Sequence, residues 1–157
     1  MELYLLRHAA AEARAPGRKD AARRLTREGR KELAEVVKGL KKLGVRFDRV
    51  CHSPMLRAVE SAELLSPILD GESEVTPGLA DEPDASLLRA IAGKRVALVG
   101  HEPWLSELVS WLLLGTPGHA DRFPLKKAGV AVLAGEPKPG GMALLALYEP
   151  RALRGAR

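Results

Sequence analysis

Four residues whose types suit anion chemistry stand at unusual places in this chain. Arg7 and His8 follow directly on the apolar run Met1-Glu2-Leu3-Tyr4-Leu5-Leu6. His101 closes a second such run, Arg95-Val96-Ala97-Leu98-Val99-Gly100. Arg57 lies within Ser53-Pro54-Met55-Leu56-Arg57-Ala58, just after a third apolar stretch. A strand that ends on an adjacent cation and imidazole is chemically odd, and in open α/β sheets the carboxyl ends of strands are where ligands bind. An arginine supplies a permanently charged planar fork for oxyanions. An imidazole with one free ring nitrogen can attack phosphorus. Phosphoryl transfer needs an in-line nucleophile and fixed positive charge around three outer oxygens, which this set can supply.

Alternating apolar and helical patterns position these residues. A strand is expected at 2–7, then a loop rich in Ala, Arg and Gly over 9–25 that flanks the site, with Pro16-Gly17 as a turn signal. Thr26 is placed to cap a helix over 27–42, with Leu33, Val36, Val37 and Leu40 on one face and Gly44 at its end. A second strand is expected at 48–52. Ser53 then caps a helix with Pro54 at its first position, running to about 65–69 with Arg57 in its first turn. The amide-rich start of a helix favours a phosphate. A short strand near 74–76, a loop over 77–84 and a helix at 85–92 lead to the strand at 95–100. Pro103 marks the start of a helix reaching 114, and apolar runs at 129–134 and 142–148 read as a hairpin-like pair. The expected fold class is a three-layer α/β/α sandwich with a mostly parallel central sheet, in a single domain spanning 1–157.

Taken in order, Arg7-His8, Ser53-Pro54-x-x-Arg57-Ala58 and Gly100-His101 resemble the motifs of the histidine phosphatase superfamily, the phosphoglycerate mutase-like fold. Leu25-Thr26-x-x-Gly29 resembles the family's Leu-Thr-x-x-Gly. The resemblance spans residues 2–103. The short chain and the Arg-His-Ala variant are similar to the SixA-type phosphohistidine phosphatases. The resemblance implies that His8 is the nucleophile, that Arg57 binds phosphate and that His101 is the second pocket histidine. With Arg7 they bind and stabilise the transferring group, with no metal or other cofactor. A protonated His101 would add positive charge.

Departures from the family pattern narrow the substrate. Ala9 stands where the family usually has glycine, which suits a backbone of negative φ there. Ala10, Ala11 and Glu12 replace the phosphate-binding Ser or Thr and Asn of many mutase relatives, leaving a sparse pocket. Ester-cleaving relatives carry a general acid after the third strand, and here Glu82, then Asp81, are the candidates. A pocket without a firm acid favours phosphohistidine, because imidazole (reference pKa about 6.5) leaves easily once its ring is protonated. The expected partner is therefore a phosphorylated protein, a phosphotransfer domain carrying phosphohistidine. The alternatives are a small-molecule phosphomonoesterase acting on a nucleotide or sugar phosphate and, in another class, a non-catalytic phospho-protein binding module.

Cys51-His-Ser-Pro-Met-Leu-Arg57 also matches Cys-x5-Arg, the loop of cysteine-dependent phosphatases. Pro54 removes one of the amides such a loop needs, so Cys51 is expected in the core. One cysteine excludes an internal disulfide. A net charge of +5, from 25 basic and 20 acidic residues, is modest for a nucleic-acid binder. The basic residues gather between Arg14 and Lys31 and at Arg151, Arg154 and Arg157. No stretch is long enough to span a membrane and no signal-peptide layout is present, which makes the cytoplasm the expected compartment. The chain has neither Asn nor Gln, a pattern expected of a thermophile or of GC-rich coding.

Overall fold

The computed structural model describes residues 1–155. Six strands form one sheet in the order β3-β2-β4-β1-β5-β6. They are β1 (Glu2–Arg7), β2 (Phe47–His52), β3 (Leu69–Val75), β4 (Arg95–Gly100), β5 (Val130–Gly135) and β6 (Met142–Tyr148). The first four are mutually parallel, and β5 runs antiparallel to both β1 and β6. The helices are α1 (Arg27–Lys42), α2 (Leu56–Glu63), α3 (Ala85–Ala90), α4 (Trp104–Leu114) and α5 (Pro150–Arg154).

Successive side chains on a strand point to opposite faces, so a strand covered on both sides reads as an unbroken apolar run. In β1, Tyr4 and Leu6 join Val36, Leu40, Phe47 and Leu153 on one face, the layer of α1 and α5. Leu3 and Leu5 join Leu98, Leu105, Leu108 and Leu112 on the other, the layer of α4. This is the expected three-layer architecture.

Several elements differ from expectation. β3 begins at Leu69 rather than near 74, because Asp70, Gly71, Glu72 and Ser73 make an exposed polar edge strand without an apolar signal. A register shift of β2 against β3 accommodates this edge, where a Cβ on Gly71 would collide with the Asp48 carbonyl. α2 begins at Leu56 with Met55 as its N-cap, not Ser53. Ser53 Oγ instead accepts from the Met55 amide at 3.2 Å, which places Pro54 in the turn before the helix. Arg57 still falls in the first turn. α5 carried no apolar periodicity, being five residues long, yet it seats Leu153 against α1 where Gly39 leaves room for the Leu153 carbonyl.

Parallel pairing sets the site. Arg7 lies opposite Gly100, and His52 opposite Val99. The three chains leaving β1, β2 and β4 therefore emerge side by side along one edge of the sheet.

Candidate active site

His8, Arg57 and His101 are all buried at this edge. The imidazoles of His8 and His101 have ring centroids 5.1 Å apart and are tilted 53° to each other. His8 Nδ1 lies 2.7 Å from the Ala9 carbonyl. A carbonyl only accepts, so Nδ1 carries the proton and Nε2 keeps a free lone pair. Burial, then Arg57, Arg7 and Lys127, push the His8 pKa down to about 4 against the pull of the Ala9 carbonyl. The ring is neutral and nucleophilic at neutral pH.

His101 Nε2 sits 2.7 Å from Ser53 Oγ. Ser53 Oγ already accepts from Met55, so donating its own proton to Nε2 completes its pairing and leaves the ring proton on His101 Nδ1. Burial, Arg57 and His8 hold the His101 pKa down to about 3. His101 is therefore neutral in the free protein rather than protonated, and offers a neutral N–H donor. An arriving phosphoryl dianion pulls both ring pKa values upward.

The two arginines are held differently. Arg7 Nη1 donates to the Leu125 carbonyl at 2.9 Å. Arg57 donates from Nη1 to the Asp20 carbonyl at 3.0 Å and from Nη2 to Asp20 Oδ2 at 3.2 Å. Burial and Arg23 draw the Arg57 pKa below its ordinary value while Asp20 opposes them. Among the described residues, four buried side-chain polar atoms lack a hydrogen-bond partner: Arg7 Nε, Arg57 Nε, His101 Nδ1 and Glu107 Oε2. Three of them are N–H donors, and all three belong to the residues singled out from sequence. Buried donors without acceptors are rare and costly in native proteins, and an oxyanion is the kind of ligand that would satisfy them.

Neighbouring elements brace this pocket. Ala9 donates its amide to Ser61 Oγ, and Ser61 in turn donates to the Arg57 carbonyl, tying the β1 exit to α2. Ala9 is not among the residues of positive φ, so the position usually given to glycine tolerates a side chain. Thr26 and Gly29 explain the Leu-Thr-x-x-Gly pattern. Thr26 donates its amide to the Ala10 carbonyl and accepts from the Gly29 amide, and a Cβ on Gly29 would collide with Ala10. Glu102 caps α4 by accepting from the Ser106 amide, which fixes the exit of His101.

The remaining candidates lie apart. Glu82 lines a recess of about 240 Å³ with Glu107 and Pro117, and its charge helps burial raise the Glu107 pKa. Asp81 faces Trp104 and Leu105. Neither carboxylate, among the described residues, bonds to His8, His101, Arg7 or Arg57. Cys51 is buried with Leu3 and Leu98, its thiol donates toward Glu74, and burial raises its pKa. A protonated core thiol is no nucleophile. His52 is buried beside the pocket and donates from Nδ1 to the Ser53 carbonyl at 3.0 Å. No group of three or more His, Cys, Asp or Glu among the described residues is arranged to hold a metal.

Asp20 was not anticipated. Its carboxylate meets Arg23 at 2.8 Å, Arg14 at 3.3 Å and Arg57 at 3.2 Å. The available signal is Asp20-x-x-Arg23, one residue before Leu25-Thr26, in the loop rich in Ala, Arg and Gly. Much of the basic 14–31 segment is thus engaged internally, with Arg18 on Glu12 and Arg30 on Glu60 as well.

The parallel part of the sheet thus brings His8, Arg57 and His101 to one edge, with Arg7 at the end of β1. The family model of the histidine phosphatase superfamily (branch 1) matches residues 3–82. The chain is 36% identical over 140 residues to an uncharacterized protein of Picosynechococcus sp., covering 83% of this chain and 82% of that one. A solved structure of the protein histidine phosphatase SixA complexed with tungstate superposes with a TM-score of 0.79 at 26% identity, covering 98% of this chain and 99% of that chain. A phosphoserine phosphatase from Entamoeba histolytica in complex with 3-phosphoglyceric acid shares the fold, with a TM-score of 0.74 and 20% identity over 97% of this chain and 98% of that chain. The chain belongs to the histidine phosphatase superfamily, and phosphatase activity is supported by that membership. No helix among the described residues is long and apolar enough to cross a membrane.

Proposed function

We propose that the protein removes the phosphoryl group from phosphohistidine on a phosphotransfer or signalling protein. The observation that carries this reading is that buried N–H donors on Arg7, Arg57 and His101 lack acceptors while, among the described residues, no protonated carboxyl is bonded to them. His8 Nε2 attacks phosphorus and forms a covalent phosphohistidine, with Nδ1–H anchored on the Ala9 carbonyl. Arg7, Arg57 and the His101 Nδ1–H hold the equatorial oxygens as charge develops on them. Water then hydrolyses the intermediate. A phosphohistidine whose distal ring nitrogen is already protonated leaves as neutral imidazole and so needs no further acid. The whole-length likeness to SixA supports this choice of substrate.

A second reading, ester hydrolysis, draws on the segment carrying Asp81 and Glu82. The Leu79 carbonyl lies 3.3 Å from where a Cβ on Gly100 would stand, so this segment borders the end of β4 next to His101. Rearrangement of Glu82 or Asp81 toward the pocket would supply the acid.

A paired assay without added metal separates these readings, with a phosphohistidine-bearing phosphotransfer domain as one substrate and an aryl phosphate as the other. Fast loss of phosphohistidine with slow ester turnover is expected, and the reverse preference would sink the first reading. His8→Ala is expected to lower both by at least ~10³-fold; near-wild-type turnover would remove His8 from the mechanism.

A further inference from the structure

Asp20 is a carboxylate in direct contact with Arg57, and the mechanism above does not use it. Its Oδ1 takes Arg23 Nε at 2.8 Å and Arg14 Nε at 3.3 Å, while Oδ2 takes only Arg57 Nη2, at 3.2 Å. A carboxylate oxygen accepts two hydrogen bonds readily, so Oδ2 has capacity for another donor. The side chain is 41% exposed and open to an incoming substrate.

Slight burial pushes the Asp20 carboxyl up, but Arg57, Arg23 and Arg14 outweigh it and hold it below the usual carboxylate range. An ionised carboxylate cannot give a proton to a departing alkoxide, but it can accept an N–H. Its position suits that role. With Arg57 holding a phosphoryl oxygen, Asp20 would stand one further hydrogen bond out. The distal nitrogen of an imidazole bound to phosphorus lies at a comparable remove, across the ring. The Asp20 charge favours protonation at His101, whereas the charges felt most at His8 are Arg57, Arg7 and Lys127. In-line attack puts the leaving group on the side of phosphorus away from His8.

We propose that Asp20 is a specificity-determining residue whose carboxylate accepts the distal ring N–H of the departing histidine, so that the pocket selects phosphoramidates over phosphate esters. The inference rests on the phosphohistidine reading above. The first step is then a transfer between two imidazoles in like states. The His8 Nε2 lone pair forms the new P–N bond while its Nδ1–H stays on the Ala9 carbonyl. The substrate P–N bond breaks, and its electron pair goes to the ring nitrogen that held phosphorus. That ring entered with a proton on its other nitrogen and leaves as neutral imidazole, its N–H held by Asp20. No proton crosses between the partners. Water later adds oxygen to phosphorus, the P–N pair returns to His8 Nε2, and both water protons leave with inorganic phosphate as its monoanion.

Asp20→Asn tests this while keeping an amide oxygen for Arg57 and Arg23. The probes are phosphoimidazole and an aryl phosphate ester, each followed by kcat/KM across pH. The expected result is a fall of roughly tenfold or more in the phosphoimidazole-to-ester ratio relative to wild type, the worth of one charge-assisted hydrogen bond. The high-pH falling limb for phosphoimidazole is also expected to move to lower pH, because the bound ring loses the charge that favours its protonation. Ester turnover in the same variant reports whether the pocket is intact. An unchanged or raised ratio, including an equal loss on both substrates, overturns the inference, since Asp20 would then only position Arg57. The broader reading is judged separately, by whether the wild type itself prefers the phosphoramidate.

Discussion

The two arginines of the pocket reach similar places from opposite kinds of support. Arg7 is set in backbone. Its guanidinium donates to the Leu125 carbonyl, its own amide donates to Gly129, and its carbonyl accepts from Ala128. Arg57 is set in charge, its fork taken up by Asp20 on a loop that Arg14 and Arg23 also grip. The first arrangement leaves the full charge for a ligand. The second counters it until a ligand arrives, and places a carboxylate where a leaving group can meet it. Equal residue types at one pocket therefore do unequal work, and the environment decides which.

The largest effects are expected at the arginines themselves. Arg7→Ala and Arg57→Ala are each expected to lower kcat/KM by ~10²–10³-fold. Adding Asp20→Ala should leave the Arg7→Ala loss additive. With Arg57→Ala it should show a coupling of about 1 kcal/mol, because only that pair is in contact. Equal coupling to both arginines would erase the distinction. A smaller effect is expected from Gly29→Ala. A Cβ there meets Ala10 on the Arg7 side, so stability should fall by about 1–3 kcal/mol in denaturant unfolding. An unchanged midpoint would show that the β1 exit is not braced there.

Proton binding sharpens the same contrast. His8 and His101 are held down to about 4 and about 3, below the ordinary 6.5, so the unfolded chain takes up protons there first. Their contribution to stability is complete above the ordinary value and is lost as pH falls toward the folded values. The urea midpoint should therefore drop between pH 7 and pH 4.5. Arg57 is felt at both rings, whereas Arg7 figures at His8. In ring titrations followed by NMR, Arg57→Ala should raise both pKa values and Arg7→Ala mainly that of His8. Smallest of all, Cys51→Ser should leave activity within about twofold, since its thiol is a packed, protonated side chain; abolition would revive a cysteine nucleophile.

Much of this was legible in the sequence because it is carried by local pattern. The apolar runs of β1 and β4, buried on both faces, end on Arg7-His8 and Gly100-His101. The capped amphipathic α1 and the Ser-Pro turn before Arg57 are equally local. What escaped is carried by contacts distant in sequence or by elements without apolar content. β3 is a polar edge strand, and α5 is a single short turn held by one buried leucine. Asp20 meets Arg57 across 37 positions, a meeting that no periodicity announces. Ser53 looked like a helix cap by type, yet its hydroxyl serves His101, which only the pairing of β2 beside β4 makes possible.

The unpaired donors on Arg7, Arg57 and His101 bear on more than catalysis. Buried N–H groups lacking acceptors are a debt in the folded state that a tetrahedral oxyanion discharges and the unfolded chain cannot. Folding and anion binding are thereby linked, and an oxyanion at 100 times its dissociation constant adds about 2.7 kcal/mol to stability. The protein's melting temperature is thus a function of the phosphate in its buffer.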